Sequence, residues 1–181
     1  MRLHAQRTRI LTGLALFGLL AGSRAATSEP EDELKSAIVL SFLRYSEWPH
    51  RASAGTPLTV GVLGRTSFAQ VLHRALDGKV VNDRAIRLLE IKSAGELQGC
   101  QVLYVASEKA VEIKPALAEA HSMHALTIGE SDHFLEYGGA VNLLLVDGHM
   151  SFEVNLQALA GTGVEISSKL LRYGQIKGRR P

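Results

Sequence analysis

A chain of 181 residues, 46% hydrophobic and 21% charged, is long enough to bury one core and too apolar to be a disordered tail. Its single cysteine, Cys100, excludes an internal disulfide, and a formal net charge of +2 is no nucleic-acid footprint. That small excess lies at the amino end: removing Arg2, Arg7, Arg9 and Arg24 leaves 16 basic residues against 18 acidic ones, a net −2.

Arg2, Arg7 and Arg9 precede the apolar run "ILTGLALFGLLAG", Ile10 to Gly22, and "SRAA" follows. A basic start, a short apolar run and small residues at Ser23 and Ala25 predict a secretory signal peptide over 1–25, cleaved between Ala25 and Ala26. The alternative is an uncleaved anchor helix, but the run is short of the ~20 apolar residues that a bilayer span needs. No Cys stands directly after the run, so a lipoprotein anchor is not expected.

Residues 26–33 are polar and acidic and read as a flexible lead-in to one domain over 34–181. "ELKSAIVLSFLRYSEW" spaces Leu34, Ala37, Ile38, Phe42, Tyr45 and Trp48 by threes and fours, which predicts an amphipathic helix. Glu29, Glu31, Asp32 and Glu33 suit its amino end, and Pro49 stops it. "LTVGVLG" is a strand and "TSFAQVLHRAL" a helix that Thr66 or Ser67 can cap. "DGKVVNDRAIRLLEIK" reads as a turn and an extended segment around Ile86 to Ile91. "CQVLYVA" is a buried strand, "SEKAVEIKPALAEAHSMH" a helical region with Pro115 near its start or at a kink, and "ALTIGES" another strand.

Strands alternating with helices imply a largely parallel sheet with helices packed on it. "AVNLLLVDGHMSFEVNL" then changes character. Its Asp-Gly marks a hairpin that pairs Val141 to Val146 with Met150 to Val154 antiparallel. Phe152 and Val154 share one face, Glu153 and Asn155 the other, and Asn155 is placed to cap the helix of "LQALA". The two glycines of "YGGAVNL" permit positive φ or a bulge. "ISSKLLRYGQIK" reads as a short closing helix with Ser167 or Ser168 as cap.

Motifs for chemistry are weak. "GVLG" before a helix suits a phosphate site or a tight turn, but no nucleotide fingerprint accompanies it. His121, His124 and His133 lie near Glu130 and Asp132, yet lack metal-ligand spacing and read as surface histidines; no metal or cofactor is expected. Ser167 and Ser168 fit a helix cap better than a nucleophile, since neither G-x-S-x-G nor S-x-x-K occurs. Cys100 reads as a small core residue, the alternative being an intermolecular disulfide through an exposed sulfur. Trp48 fits core packing, a ligand stack or a partner contact.

Five segments in one order resemble the YfiR-like family of small periplasmic proteins, over about Leu34 to Ile176. They are "KSAIVLSFLRYSEWP", "LTVGVLG", "GCQVLYVA", "LTIGESDHFLEYGGAVNLLLVDGHMSFEVNLQAL" and "GVEISSKLLRYGQI". The resemblance implies an α/β/α sandwich without catalysis. It also implies a soluble periplasmic brake on the sensory domain of an inner-membrane diguanylate cyclase, released when an outer-membrane lipoprotein captures it. The family's type member carries disulfides, which this chain cannot form internally, so partner sequestration becomes the expected switch.

The expected molecule is therefore an α/β regulatory binding protein: a three-layer sandwich whose mostly parallel sheet ends in an antiparallel hairpin. Trp48, Glu153, Lys169 and Arg172 are its expected partner contacts, no nucleic acid is bound, and a homodimer is compatible with this reading. The rival from another class is a periplasmic small-ligand sensor in which Trp48 stacks on the ligand. A hydrolase would need Ser167, His133 and a carboxylate to converge.

Overall fold

The computed structural model describes residues 29–48, 55–64 and 66–177; the expected signal peptide lies outside them. In chain order the elements are α1 (Glu29–Arg44), β1 (Ser46–Glu47), β2 (Leu58–Gly64), α2 (Thr66–Leu76), β3 (Val80–Val81) and β4 (Arg84–Ile91). After a single 3-10 turn come β5 (Val102–Ala106), α3 (Ala110–Ser122), β6 (Leu126–Gly129), β7 (Val141–Val146) and β8 (His149–Asn155). The chain closes with α4 (Leu156–Thr162), β9 (Glu165–Ile166), α5 (Ser168–Leu171) and β10 (Gln175–Lys177).

Among the described residues, eight strands form one sheet in the order β10-β8-β7-β6-β5-β2-β4-β3, and β1 pairs with β9 apart from it. The run from β4 through β2, β5 and β6 to β7 is parallel, whereas β7 and β8 form the expected antiparallel hairpin. Alternation along β2 and β5 builds a core on each face. Val60, Val62, Val102 and Tyr104 pack with α1, α2 and α4, while Leu63, Leu103 and Val105 pack with Ile113, Ala116 and Leu117 of α3. The α/β architecture, with helices on both faces of a mostly parallel sheet, is the one the sequence implies.

The hairpin turns at Asp147 (φ 49) and Gly148 (φ 78), both left-handed, as a two-residue turn that matches strand twist requires. Asn155 caps α4 as expected: its Oδ1 accepts from Gln157 N at 3.0 Å and Ala158 N at 3.1 Å. Replacing it by Ala removes both acceptors, and Asn155→Ala is expected to lower stability by about 1 kcal/mol, read as a shift of the urea midpoint with unchanged slope.

Several boundaries differ from the sequence reading. Helix α1 begins at Glu29, so residues 29–33, expected to be flexible, form its first turns. It ends at Arg44 rather than Trp48, because Ser46 and Glu47 find ladder partners in Ile166 and Glu165. Its buried face is also rotated: Leu34 and Tyr45 are 46% and 49% exposed, while Asp32, Lys35, Ser36, Val39, Phe42 and Leu43 are buried. A charged pair that finds partners inside displaces apolar residues from that stripe, and apolar spacing alone cannot show this.

The segment before β4 is a hairpin with β3, turned by Asn82 (φ 50) and Asp83 (φ 63), residue types that tolerate left-handed backbone. Pro115 lies inside α3. The closing helix is shorter than expected. Gly174 passes where a Cβ would stand 2.1 Å from the Phe152 ring, and the chain then adds β10 parallel to β8.

Candidate functional site: a crevice at the strand ends and an aromatic, basic flank

Strands β2 and β5 are neighbours, yet the chain leaves them in opposite directions. From β2 it passes through α2 to β4; from β5 it passes through α3 to β6 on the other face of the sheet. Where two such connections part, the carboxyl ends of the strands leave a crevice, the usual ligand position in open α/β sheets. A cavity of about 1290 Å³ opens there, between the starts of α1, α2 and α3. Gly64 ends β2 at φ +107, and a Cβ on it would stand 2.4 Å from the Ala106 carbonyl oxygen. The backbones therefore pass at contact distance, and the glycine of "GVLG" serves this close approach.

The floor of the crevice is charged. Lys35 Nζ lies 2.7 Å from Glu31 Oε1 and 2.6 Å from Glu130 Oε2, with the three side chains 7%, 26% and 15% exposed respectively. This bridge ties the first turns of α1 to the end of β6. Burial pulls the Lys35 ammonium down, but its bonds to Glu130 and Glu31 outweigh burial and hold it above its ordinary value. Asp32, also buried, lines the same wall. At the start of α3, Ser107 Oγ donates to Glu112 Oε2 at 2.6 Å and Lys109 Nζ lies 3.0 Å from Glu112 Oε1. The Ser107 hydroxyl first, and Lys109 with it, hold the Glu112 carboxyl below its usual range.

Trp48 lies at the opposite end of the sheet. Half-buried against the core, its Nε1 donates to the Gln101 carbonyl at 3.3 Å. Gln101 precedes β5 and organises the amino ends of the strands: its Oε1 accepts from Thr59 N at 2.8 Å and from Arg84 Nη2 at 3.3 Å. Trp48 therefore braces the amino ends of β2 and β5 and is remote from the crevice at their carboxyl ends.

Lys169 and Arg172 stand exposed on and just after α5. Ser167 Oγ caps this helix by accepting from Lys169 N at 3.3 Å, and Ser167 N donates to the Tyr45 carbonyl at 2.8 Å, which seats α5 beside the end of α1. The Arg172 guanidinium lies 5.0 Å from the Tyr173 ring centroid and donates to its hydroxyl at 3.1 Å. Tyr173 is 68% exposed, and Tyr45, whose backbone carbonyl meets Ser167, is exposed at the end of α1. Glu153 does not reach this flank. On β8 it faces away from Phe152 and Val154 and pairs with Lys177 at 3.0 Å on the other side of the sheet.

Cys100 is 4% exposed against Gly61, and burial raises its thiol pKa while Arg87 acts weakly the other way. The core reading of Cys100 holds, and the exposed sulfur that an intermolecular disulfide needs is not there. His133 Nδ1 pairs with Glu136 Oε2 at 3.0 Å on the surface, and Ser167 is committed to its cap.

Sequence reasoning missed Tyr45 and Tyr173, the first because the apolar stripe put it inside. It also missed the bridge of Glu31, Lys35 and Glu130 in the crevice, where Glu31 read only as a helix-start charge and Glu130 only as a neighbour of the histidines. The spacing of Glu31 and Lys35, four apart with the acid first, was the available signal.

Topology and crevice together define an α/β domain of the open, mostly parallel sheet class. The chain belongs to the YfiR/HmsC-like family (DUF4154), whose model matches residues 32–175. This is a family of periplasmic regulatory proteins. Among the described residues, no helix is long and apolar enough to cross a membrane.

Two solved structures share the fold at low identity. A conserved domain protein from Vibrio cholerae O1 biovar El Tor superposes with a TM-score of 0.56 at 12% identity, over 80% of this chain and 59% of that one. An ABC domain from Streptococcus pneumoniae, solved in complex with L-tryptophan, gives 0.51 at 11% identity, over 80% of this chain and 60% of that one. The chain thus spans about three-fifths of the length of each.

Proposed function

We propose that this chain is a periplasmic regulatory binding protein that restrains an inner-membrane diguanylate cyclase. It docks on the cyclase's periplasmic sensory domain and so lowers cyclic-di-GMP synthesis and biofilm formation. The observation that carries this reading is the family match, which runs from the first turn of α1 into β10 and so takes in nearly the whole described domain. Export through cleavage near Ala25 delivers the chain to that compartment, and capture by an outer-membrane lipoprotein releases the cyclase.

Such a brake needs no chemistry of its own. It shifts the cyclase by binding the inactive state more tightly, and a tenfold shift takes ~1.4 kcal/mol of differential affinity. The flank at α5 suits this role, because Tyr, Trp and Arg dominate interface energetics. Lys169 and Arg172 form the proposed contact with Tyr45 and Tyr173. Trp48 supports it through β1, the partner of β9 next to α5, and Glu153 is a separate contact on the other face. The rival sensor with Trp48 stacked on a ligand is disfavoured at the crevice, since Trp48 braces the far end of the strands.

Deleting the gene in its own host and measuring cyclic-di-GMP tests the proposal. The expected result is a rise on deletion that reverses with the exported chain and not with a version lacking residues 1–25. Unchanged cyclic-di-GMP in all three strains rejects the regulatory role.

A further inference from the structure

We propose that the flank formed by the end of α1, the β1–β9 ladder and α5 docks a second copy of this chain, related to the first by a two-fold axis. The inference concerns the surface proposed above for the cyclase but does not rest on that reading. Where both hold, copy and cyclase compete for one surface. The flank is continuous, because Ser46 and Glu47 pair with Ile166 and Glu165, and Ser167 N donates to the Tyr45 carbonyl at 2.8 Å. Tyr45 and Tyr173 are 49% and 68% exposed and give it large aromatic side chains, which interfaces favour.

The charges of the flank point to the occupant. Glu47 and Glu165 stand directly opposite each other in the ladder, and both are exposed. Like charges in that position repel. Lys169 and Arg172 follow, exposed, on and just after α5, and Arg44 is exposed in the last turn of α1. Among the described residues, none of these five side chains has an ion-pair partner. The flank thus carries an acidic pair and a basic group that do not neutralise each other. A partner of one sign would satisfy one group and repel the other. A second copy turned by a two-fold axis sets each acidic pair against the other copy's basic group, the self-complementarity that an isologous interface requires. Only a few side chains take part, far short of the ~20–30 residues a side of a standard interface. The dimer is therefore weak, and salt screens it.

The test is sedimentation velocity of the mature chain over a concentration series. The expected result is a reversible dimer that grows with concentration and weakens about fivefold or more in ~1 M salt, where charges are screened within ~3 Å. Glu47→Lys/Glu165→Lys and Lys169→Glu/Arg172→Glu each set like charges across the axis, so each folded variant should be monomeric alone. Mixed, the two present opposite charges on both halves of the interface and should form a dimer with one copy of each. A chain that is monomeric at every concentration overturns the proposal and leaves the flank to a partner of another kind. A dimer that persists in both variants, or a mixture that stays monomeric, overturns it equally. Should a charge reversal fail to fold, Glu165→Gln/Arg172→Gln removes charge without reversing it, and an unchanged dimer in that variant also overturns the proposal. The assay contains no cyclase, so its failure leaves the regulatory proposal standing, and a failure of that proposal leaves this one untouched.

Discussion

Gly139→Ala is expected to destabilise the domain by about 3 kcal/mol, the upper range for forcing an atom into a packed core. The reason lies in the connection from β6 to β7. These strands are parallel, and parallel neighbours ordinarily need a long crossover, usually helical. Here residues 130–140 make the return as a series of turns that drive Phe134 into the core, where it is fully buried. The ring is gripped between two glycines: a Cβ on Gly129 would stand 2.4 Å from it, and one on Gly139 2.2 Å. Backbone bonds fix the loop around it, Phe134 N donating to the Ser131 carbonyl and Gly139 N to the Phe134 carbonyl, both at 3.0 Å.

Urea unfolding measures the effect. Phe134→Ala should itself cost about 3–5 kcal/mol. The double variant should cost clearly less than the two singles combined, since the added methyl then has the space the ring left. A wild-type midpoint for Gly139→Ala would show that the slot is not as tight as described.

Lys35→Met is the second large effect, about 3 kcal/mol, at the low end for breaking a buried pair because Glu31 and Glu130 retain some exposure. The methionine keeps the lysine's stem, one atom shorter, but withdraws the ammonium that both carboxylates contact. Lys35→Met/Glu130→Gln should recover much of the loss, which separates lost charge balance from lost packing. The pH dependence has a definite sign. The folded-state pKa of Lys35 is raised, so the bridge contributes in full below the ordinary value of 10.5 and fades as pH rises through the higher folded value. The stability gap between wild type and Lys35→Met should stay constant from neutral to mildly alkaline pH and close only above about pH 10.5.

Much of the fold was legible because its long elements carry strong local patterns. The buried runs "LTVGVLG" and "CQVLYVA" became β2 and β5, the Asp-Gly turn became the β7–β8 hairpin, and Asn155 capped α4. The four shortest strands, β1, β3, β9 and β10, were not legible. Two or three residues hold no period, and partners distant in the chain decide whether they pair. The face of α1 was misread for a different reason. Lys35 and Asp32 are buried there while Leu34 and Tyr45 are not, and that choice depends on Glu130, far along the chain.

The pair of glycines in "YGGAVNL" shows the same division. Positive φ was foreseen and falls on Gly138, at +99, whereas the need for a bare Gly139 comes from a ring five residues earlier. For the site, Lys169 and Arg172 were legible as exposed cations on a short helix. The crevice was not, since it exists only where α1, α2 and α3 meet the strand ends.

On the proposed function, the domain acts on a cyclase from the periplasmic side. Its most direct test adds the purified mature chain to spheroplasts of the deletion strain and follows cyclic-di-GMP inside them. A saturable fall is expected with the wild-type chain, weakened in a folded Arg172→Ala/Tyr173→Ala variant. Cyclic-di-GMP that stays constant at saturating protein would contradict it.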